Sequence, residues 1–177
     1  AARNMVLGNW LADGAGGEAS YEIDFPEGGD NLVAGNVVAQ ARGTQNPALV
    51  SMGAEGRGAR SGRLRLLNNT LDGGDVPDAR FLAWWAARMA PGAQLWARNN
   101  LLVGAGRLDL DAGSDGGGNV RVPRDALDAG YRLPESTALR ARPLPDELPP
   151  LHRFTPPLGS RALETAPRWP GALQPGA

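Results

Sequence analysis

The sequence predicts an all-β fold, a right-handed parallel β-helix (solenoid) with a Pro-rich C-terminal tail, on three observations. An asparagine-centred segment recurs at intervals of about 30 residues. Short stretches of alternating apolar residues flank each asparagine and fill the space between copies. Ten of the fifteen prolines fall between Pro134 and Pro175, so the end of the chain differs in kind from its Gly/Asn-rich body.

The repeat comprises residues 4–14, 31–41, 63–73 and 94–104, with a truncated fifth copy at 118–122. Its shared asparagines are Asn9, Asn36, Asn69, Asn100 and Asn119, the first four separated by 27, 33 and 31 residues. A strand that recurs at this spacing stacks on its predecessor and winds a parallel sheet into a solenoid. The asparagine then occupies one corner of every coil. There its amide can bond the equivalent residue above and below, and its tolerance of left-handed φ lets the chain turn.

Further strands are expected at 21–25, 48–52, 81–85 and 108–110, giving each coil at least two. Residues 78–89 also fit an amphipathic helix, with Phe81, Leu82, Trp85 and Met89 on one side, but their place in the repeat favours a strand over 80–86. The coils are expected over 1–130. From Tyr131 the repeat stops, and prolines that cannot donate to a ladder follow. The 131–177 segment carries Leu144, Leu148, Leu151, Phe154 and Trp169, enough to pack over the open end or along the flank. The chain enters strand pattern almost at once, as expected of a processed chain or the C-terminal part of a longer one.

Composition narrows the chemistry. A net charge of -1 supplies no field for nucleic acid or an anionic membrane. No apolar run reaches membrane-spanning length. Lysine is absent, which removes Schiff-base and P-loop chemistry, and cysteine is absent, which removes thiolates and disulfides.

Asn68-Asn69-Thr70-Leu71, residues 99–104, residues 20–29 and Gly53-Ala54-Glu55-Gly56 resemble bacterial right-handed parallel β-helix repeat proteins, the pectin-lyase-like superfamily in the broad sense. Residues 131–139 are similar to the segment that often ends such solenoids. The resemblance spans roughly residues 4–140 and implies an exported protein. Known members include polysaccharide lyases, glycoside hydrolases, esterases and epimerases, beside adhesins and phage tailspikes. The chain departs from their catalytic patterns, with no Asn-Thr-Asp, Asp-Asp or His-Gly. Fold alone does not fix activity. Two expectations follow: a carbohydrate-binding or polysaccharide-processing protein, or a non-catalytic structural or adhesive solenoid.

Candidate catalytic acids are Glu22, Asp24 and Glu55. Glu22 and Asp24 lie two apart on one strand, hence on one face about 7 Å apart. If Tyr21, Ile23 and Phe25 face the core, the two carboxylates face solvent. Glu55 falls one coil later, and such acids suit acid/base sugar chemistry. Arg57, Arg80 and Trp84 are candidate substrate contacts, with Trp85 and Trp96 nearby. Adjacent tryptophans on a strand must point to opposite faces, one to the core and one outward. Asp109, Asp111 and Asp115 in a Gly-rich loop hint at calcium, but Val120 stands where an EF-hand needs glutamate. A polar inter-coil loop is the plainer reading, so no metal site is assigned. The lone His152 in the tail offers little basis for a triad.

Overall fold

The computed structural model describes residues 3–57, 62–145 and 148–174. Strands make up 37% of it and wind into a parallel β-solenoid. The first coil holds β1 (Arg3–Leu7), β2 (Trp10–Ala12) and β3 (Ile23–Phe25). The second holds β4 (Gly29–Ala34), β5 (Val37–Ala39) and β6 (Ala48–Met52). The third holds β7 (Gly62–Leu67), β8 (Thr70–Asp72) and β9 (Arg80–Trp84). The fourth holds β10 (Gln94–Arg98), β11 (Leu101–Val103) and β12 (Arg107–Leu108), and β13 (Val120–Val122) begins a fifth. In the tail, β14 (His152–Thr155) and β15 (Gly159–Ala162) form an antiparallel hairpin.

Each coil therefore has three strands, because the Asn corner divides what reads in sequence as one segment. Equivalent strands stack into sheet A (β1-β4-β7-β10), sheet B (β2-β5-β8-β11-β13) and sheet C (β3-β6-β9-β12). The chain after β9 turns through a single 3-10 turn at Ala86–Arg88, so the strand expected over 80–86 ends at Trp84.

The register shows which alternate residues make the interior. Sheet A aligns Val6, Val33, Leu66 and Ala97. Sheet B aligns Leu11, Val38, Leu71 and Leu102. Sheet C aligns Ile23, Val50, Leu82 and Leu108. These rows meet in one core cluster. Each fully buried leucine, such as Leu66 or Leu71, contributes about 1.5–3 kcal/mol.

The corner between sheets A and B takes two residues. The first is left-handed in every coil: Gly8, Gly35, Asn68, Asn99 and Gly118, at φ 63°, 69°, 50°, 56° and 75°. The second is the shared asparagine. The expectation that the shared asparagine itself turns the chain is thus corrected; the residue before it does so, which is why that position is Gly or Asn. The second residue is instead a hydrogen-bonding post. The Nδ2 groups of Asn9, Asn36, Asn69 and Asn100 each donate to the Oδ1 of the next, at 2.9–3.0 Å. The backbone N–H of each donates to that same oxygen. The second Nδ2 hydrogen of Asn36, Asn69, Asn100 and Asn119 reaches back to the carbonyl of Val6, Val33, Leu66 and Ala97. Asn36, Asn69 and Asn100 are fully buried, so this pairing meets the demand that a buried amide be satisfied.

The tail runs along the flank. From Arg142 beside the fourth coil it passes to His152 beside the first two, then returns to Trp169 beside the third. It covers the outer faces of two sheets. Leu144, Leu148, Leu151 and Leu163 pack on Leu32, Ala34 and Leu67 of sheet A. Leu127, Leu133 and Trp169, with Tyr131 and Leu139, pack on Leu101, Val103 and Val122 of sheet B. Trp10 meets Tyr131 and Phe154 edge-on. Pro175 lies outside the described residues. At the C-terminal end of the core, Arg121 takes the inward position aligned with Leu102. Its guanidinium bonds the carbonyls of Gly104 and Gly106 and lies 5.5 Å from the Phe81 ring centroid.

Candidate functional site

The acids named from sequence separate into two surroundings. Glu22 lies at the threshold of β3, its N–H donating to the Leu49 carbonyl at 3.1 Å. Ile23 and Phe25 are buried and Asp24 is exposed, as alternation requires. The expectation that both carboxylates face solvent fails at Glu22. Both of its carboxyl oxygens are covered and have no hydrogen-bond partner, because the segments after β2 and β5 fold over it. Burial pushes its pKa up to about 7, with the negative charge of Asp13 adding to the rise and its own backbone N–H and the Gln40 side chain opposing it.

Asp24 belongs to a different group. It stands on the outer row of sheet C in register with Ser51 and Ala83. Its pKa is raised by partial burial and by the charge of Glu55, against the lowering effect of Ser51. Glu55, in the turn after β6, is exposed, its N–H bonded to the Pro26 carbonyl. The acidic pair that the fold brings together is therefore Asp24 with Glu55. Arg57 is also exposed, at the last described residue of that loop.

Arg80 and Trp84 begin and end β9. Trp84 aligns with Phe25 and Met52 and packs against the core, so it is a half-buried wall and not a free platform. Trp85 follows the end of β9, with the Arg88 guanidinium 4.7 Å from its ring centroid. Arg80, Trp84, Trp85, Asp109 and Asp111 surround a small opening of about 110 Å³ below the short strand β12. Arg80 Nε and Trp85 Nε1 are buried there without an acceptor. Trp96 lies half-buried on the outer row of sheet A.

In the acidic loop, Asp115 is bound to the Arg98 guanidinium, which holds its pKa below the usual carboxylate range. Its place in the fold is structural, since its backbone extends sheet A beside Trp96. Among the described residues, no three acidic or histidine side chains converge on one point. His152 Nδ1 lies 3.3 Å from Ser160 Oγ across the tail hairpin.

A larger feature went unread in the sequence. Where the chain leaves sheet B, the successive coils contribute Ala15 and Gly16, then Gln40–Arg42, then Gly74 and Asp75, then Gly104 and Ala105, and finally Arg124. They line a groove of about 650 Å³. Parallel strands stack about 4.8 Å apart, so five levels put its first and last loops about 19 Å apart along the solenoid axis. Its walls are glycine and alanine, which leave backbone N–H and C=O groups near the surface. Its polar members carry both signs: Gln40, Arg42, Asp72, Asp75 and Arg124.

Two of these are held in place. Asp72 accepts from Tyr131 Oη at 2.7 Å, and burial and that bond push the Tyr131 pKa up to about 12. Arg124 lies 3.6 Å from Asp72, with its guanidinium 4.2 Å from the Tyr131 ring centroid. Arg42 is exposed and makes no ion pair among the described residues. The available signal was the small-residue cluster four or five positions after each ladder asparagine, at Gly14, Ala41, Gly73 and Gly104. Compared with models of known protein families, with curated proteins and with solved structures, the chain matches none of them.

Proposed function

We propose that this solenoid binds a polysaccharide chain, laid along its axis in the groove between sheets B and C, and does not cleave it. The observation that supports this is the groove itself: one channel crossing five successive coil levels, with small-residue walls and fixed guanidinium and carboxylate groups. A linear polymer of hydroxyl-bearing rings needs acceptors and donors repeated along a line. The carboxylates of Asp72 and Asp75, the guanidinium groups of Arg42 and Arg124 and the bared loop backbone supply both.

The two acids that come together, Asp24 and Glu55, do not line that channel. This reading joins the carbohydrate half of one sequence expectation to the non-catalytic half of the other. A pectin-lyase-like kinship and a place outside the cytoplasm belong to the same proposal and rest on the sequence resemblance.

The test is affinity electrophoresis through gels holding a panel of neutral and acidic polysaccharides. At least one should retard the chain, and Arg42→Ala or Asp75→Asn should weaken retention by roughly 10- to 100-fold, the worth of one charged hydrogen bond. Failure of every polysaccharide to retard the chain would remove the proposal. So would variants that bind like the parent. New reducing ends or unsaturated uronate products would overturn the non-catalytic part and return attention to Asp24 and Glu55.

A further inference from the structure

We propose that the tail carries a second binding site, an arginine-lined depression formed by the β14–β15 hairpin and the chain that follows it, and that this site takes a phosphate monoester. It shares no residue with the groove and stands whatever the groove binds.

Strand register creates the site. In the antiparallel hairpin Arg153 stands directly opposite Arg161, and cross-strand partners project from one face. The other face is taken by the solenoid. Phe154 meets Trp10, and an added Cβ at Gly8 would lie 2.9 and 3.0 Å from the Cβ atoms of His152 and Ser160. Alternation then turns both arginines outward. Like charges placed directly opposite each other weaken a hairpin, and a bound anion removes that cost. Arg168 joins them from the following chain. All three line one depression of about 170 Å³, together with Leu163, Glu164 and Gln174.

The scaffold is fixed in both segments. The Leu163 N–H donates to the Leu151 carbonyl at 2.7 Å, and both leucines pack on sheet A. In the second segment Gln174 Oε1 takes the N–H groups of Arg168 and Trp169 at 2.8 and 3.0 Å, and its Nε2 donates to the carbonyls of Trp169 and Gly171. Trp169 itself is buried. The backbone that carries the arginines is thus set before a ligand arrives.

Charge selects the ligand. Glu164 is the one acid among the described residues that lines the depression, and it accepts from Arg161 at 2.7 Å. Arg153 and Arg168 make no ion pair among the described residues. Three guanidinium groups against one carboxylate leave two positive charges, which a phosphate monoester comes close to matching at neutral pH. Its three terminal oxygens can each face a guanidinium, whereas a planar carboxylate has only two. Arg161 and Arg168 are exposed, so the organic part of the ester stays in solvent.

The experiment is an NMR titration of the full chain at fixed ionic strength, following backbone and arginine Nε–H signals. The probes are inorganic phosphate, glucose 6-phosphate and glucuronate. Both phosphates should give saturating shifts at Arg153, Arg161 and Arg168 and leave Arg42 unmoved. Glucose 6-phosphate should bind at least as tightly as inorganic phosphate, and glucuronate clearly more weakly. Arg153→Gln and Arg168→Gln should each weaken binding about three- to tenfold, the worth of a partly solvated charge pair. Glu164→Gln should strengthen it. Unchanged amide shifts in β10 and β11 identify each variant as folded. No saturating shift at the three arginines, or folded variants that bind like the parent, would overturn the site. Binding of inorganic phosphate alone would overturn the ester, and glucuronate binding as tightly as glucose 6-phosphate would overturn the choice of phosphate.

Discussion

At a ladder position a single asparagine side chain closes several backbone and side-chain hydrogen bonds that no other residue type can close together. Asn69 gives its two Nδ2 hydrogens to Asn100 Oδ1 and the Val33 carbonyl, and takes the N–H and Nδ2 of Asn36 on its own Oδ1. Asn69→Ala leaves the Asn36 N–H and one Asn36 Nδ2 hydrogen buried without that acceptor and removes both Nδ2 bonds, while the residue 69 N–H still reaches Asn100 Oδ1. It should cost about 1–3 kcal/mol or somewhat more, read as a lower urea midpoint with unchanged slope. Asn9→Ala should cost clearly less, because Asn9 sits at the edge of the ladder and bonds only toward Asn36. Equal losses at the two positions would mean that the ladder bonds are not what holds the corner. The ladder was legible because its spacing is written in the sequence. The covering of Glu22 was not, since alternation along β3 says nothing of what folds over it from Asp13 and Gln40. Glu22 also ties stability to pH. The folded chain binds that proton more tightly than the unfolded chain does. Its contribution is therefore complete below the ordinary carboxylate range and is lost as pH rises through about 7.

Between the elements, the corner residue before each ladder asparagine records how the tail approaches. At Gly35 the tail backbone comes so close that an added Cβ would sit 1.8 Å from the His152 carbonyl oxygen. At Asn99 the side chain instead grips the tail, its Nδ2 donating to the Arg142 carbonyl and its Oδ1 accepting the Arg142 N–H, both at 2.8 Å. Asn68 Nδ2 likewise donates to the Trp169 carbonyl at 3.0 Å. Asn99→Gly should thus keep the turn, for which glycine is well suited, yet lose two bonds to the tail. The expected signature is faster amide exchange near Arg142 with β10 and β11 still protected. Gly35→Ala should displace the hairpin of β14 and β15 and destabilise the chain by more than 1 kcal/mol, since φ there is also positive. The strands were readable from alternation, and the choice of strand over helix at β9 followed from the repeat. The path of the tail was not readable, because spaced leucines among prolines have no period to fix which face they meet.

Across the whole molecule, the tail converts a stack of neighbours into a single unit. An uncovered solenoid is held mainly by contacts between adjacent coils. Here Trp10 of the first coil touches Tyr131 and Phe154, and Thr70 of the third takes the Ala172 N–H. A chain truncated after Leu139 should lose several kcal/mol, roughly 1.5–3 for each leucine of sheet A fully uncovered. Its urea transition should broaden as coils unfold in turn, and it should bind an apolar dye at exposed Leu32 and Leu67. A sharp transition at the parent midpoint would show the tail to be an ornament.

The same return path sets an order of events during synthesis. The outer leucines of sheet A leave the ribosome more than 70 residues ahead of Leu144, Leu148 and Leu151, which cover them. While the tail is still being made, the nascent coils carry an apolar flank open to water and to chaperones. Final closure must wait until the tail has been made as far as Ala172, and because the contacts that close it span 101 and 102 residues, it should be slow.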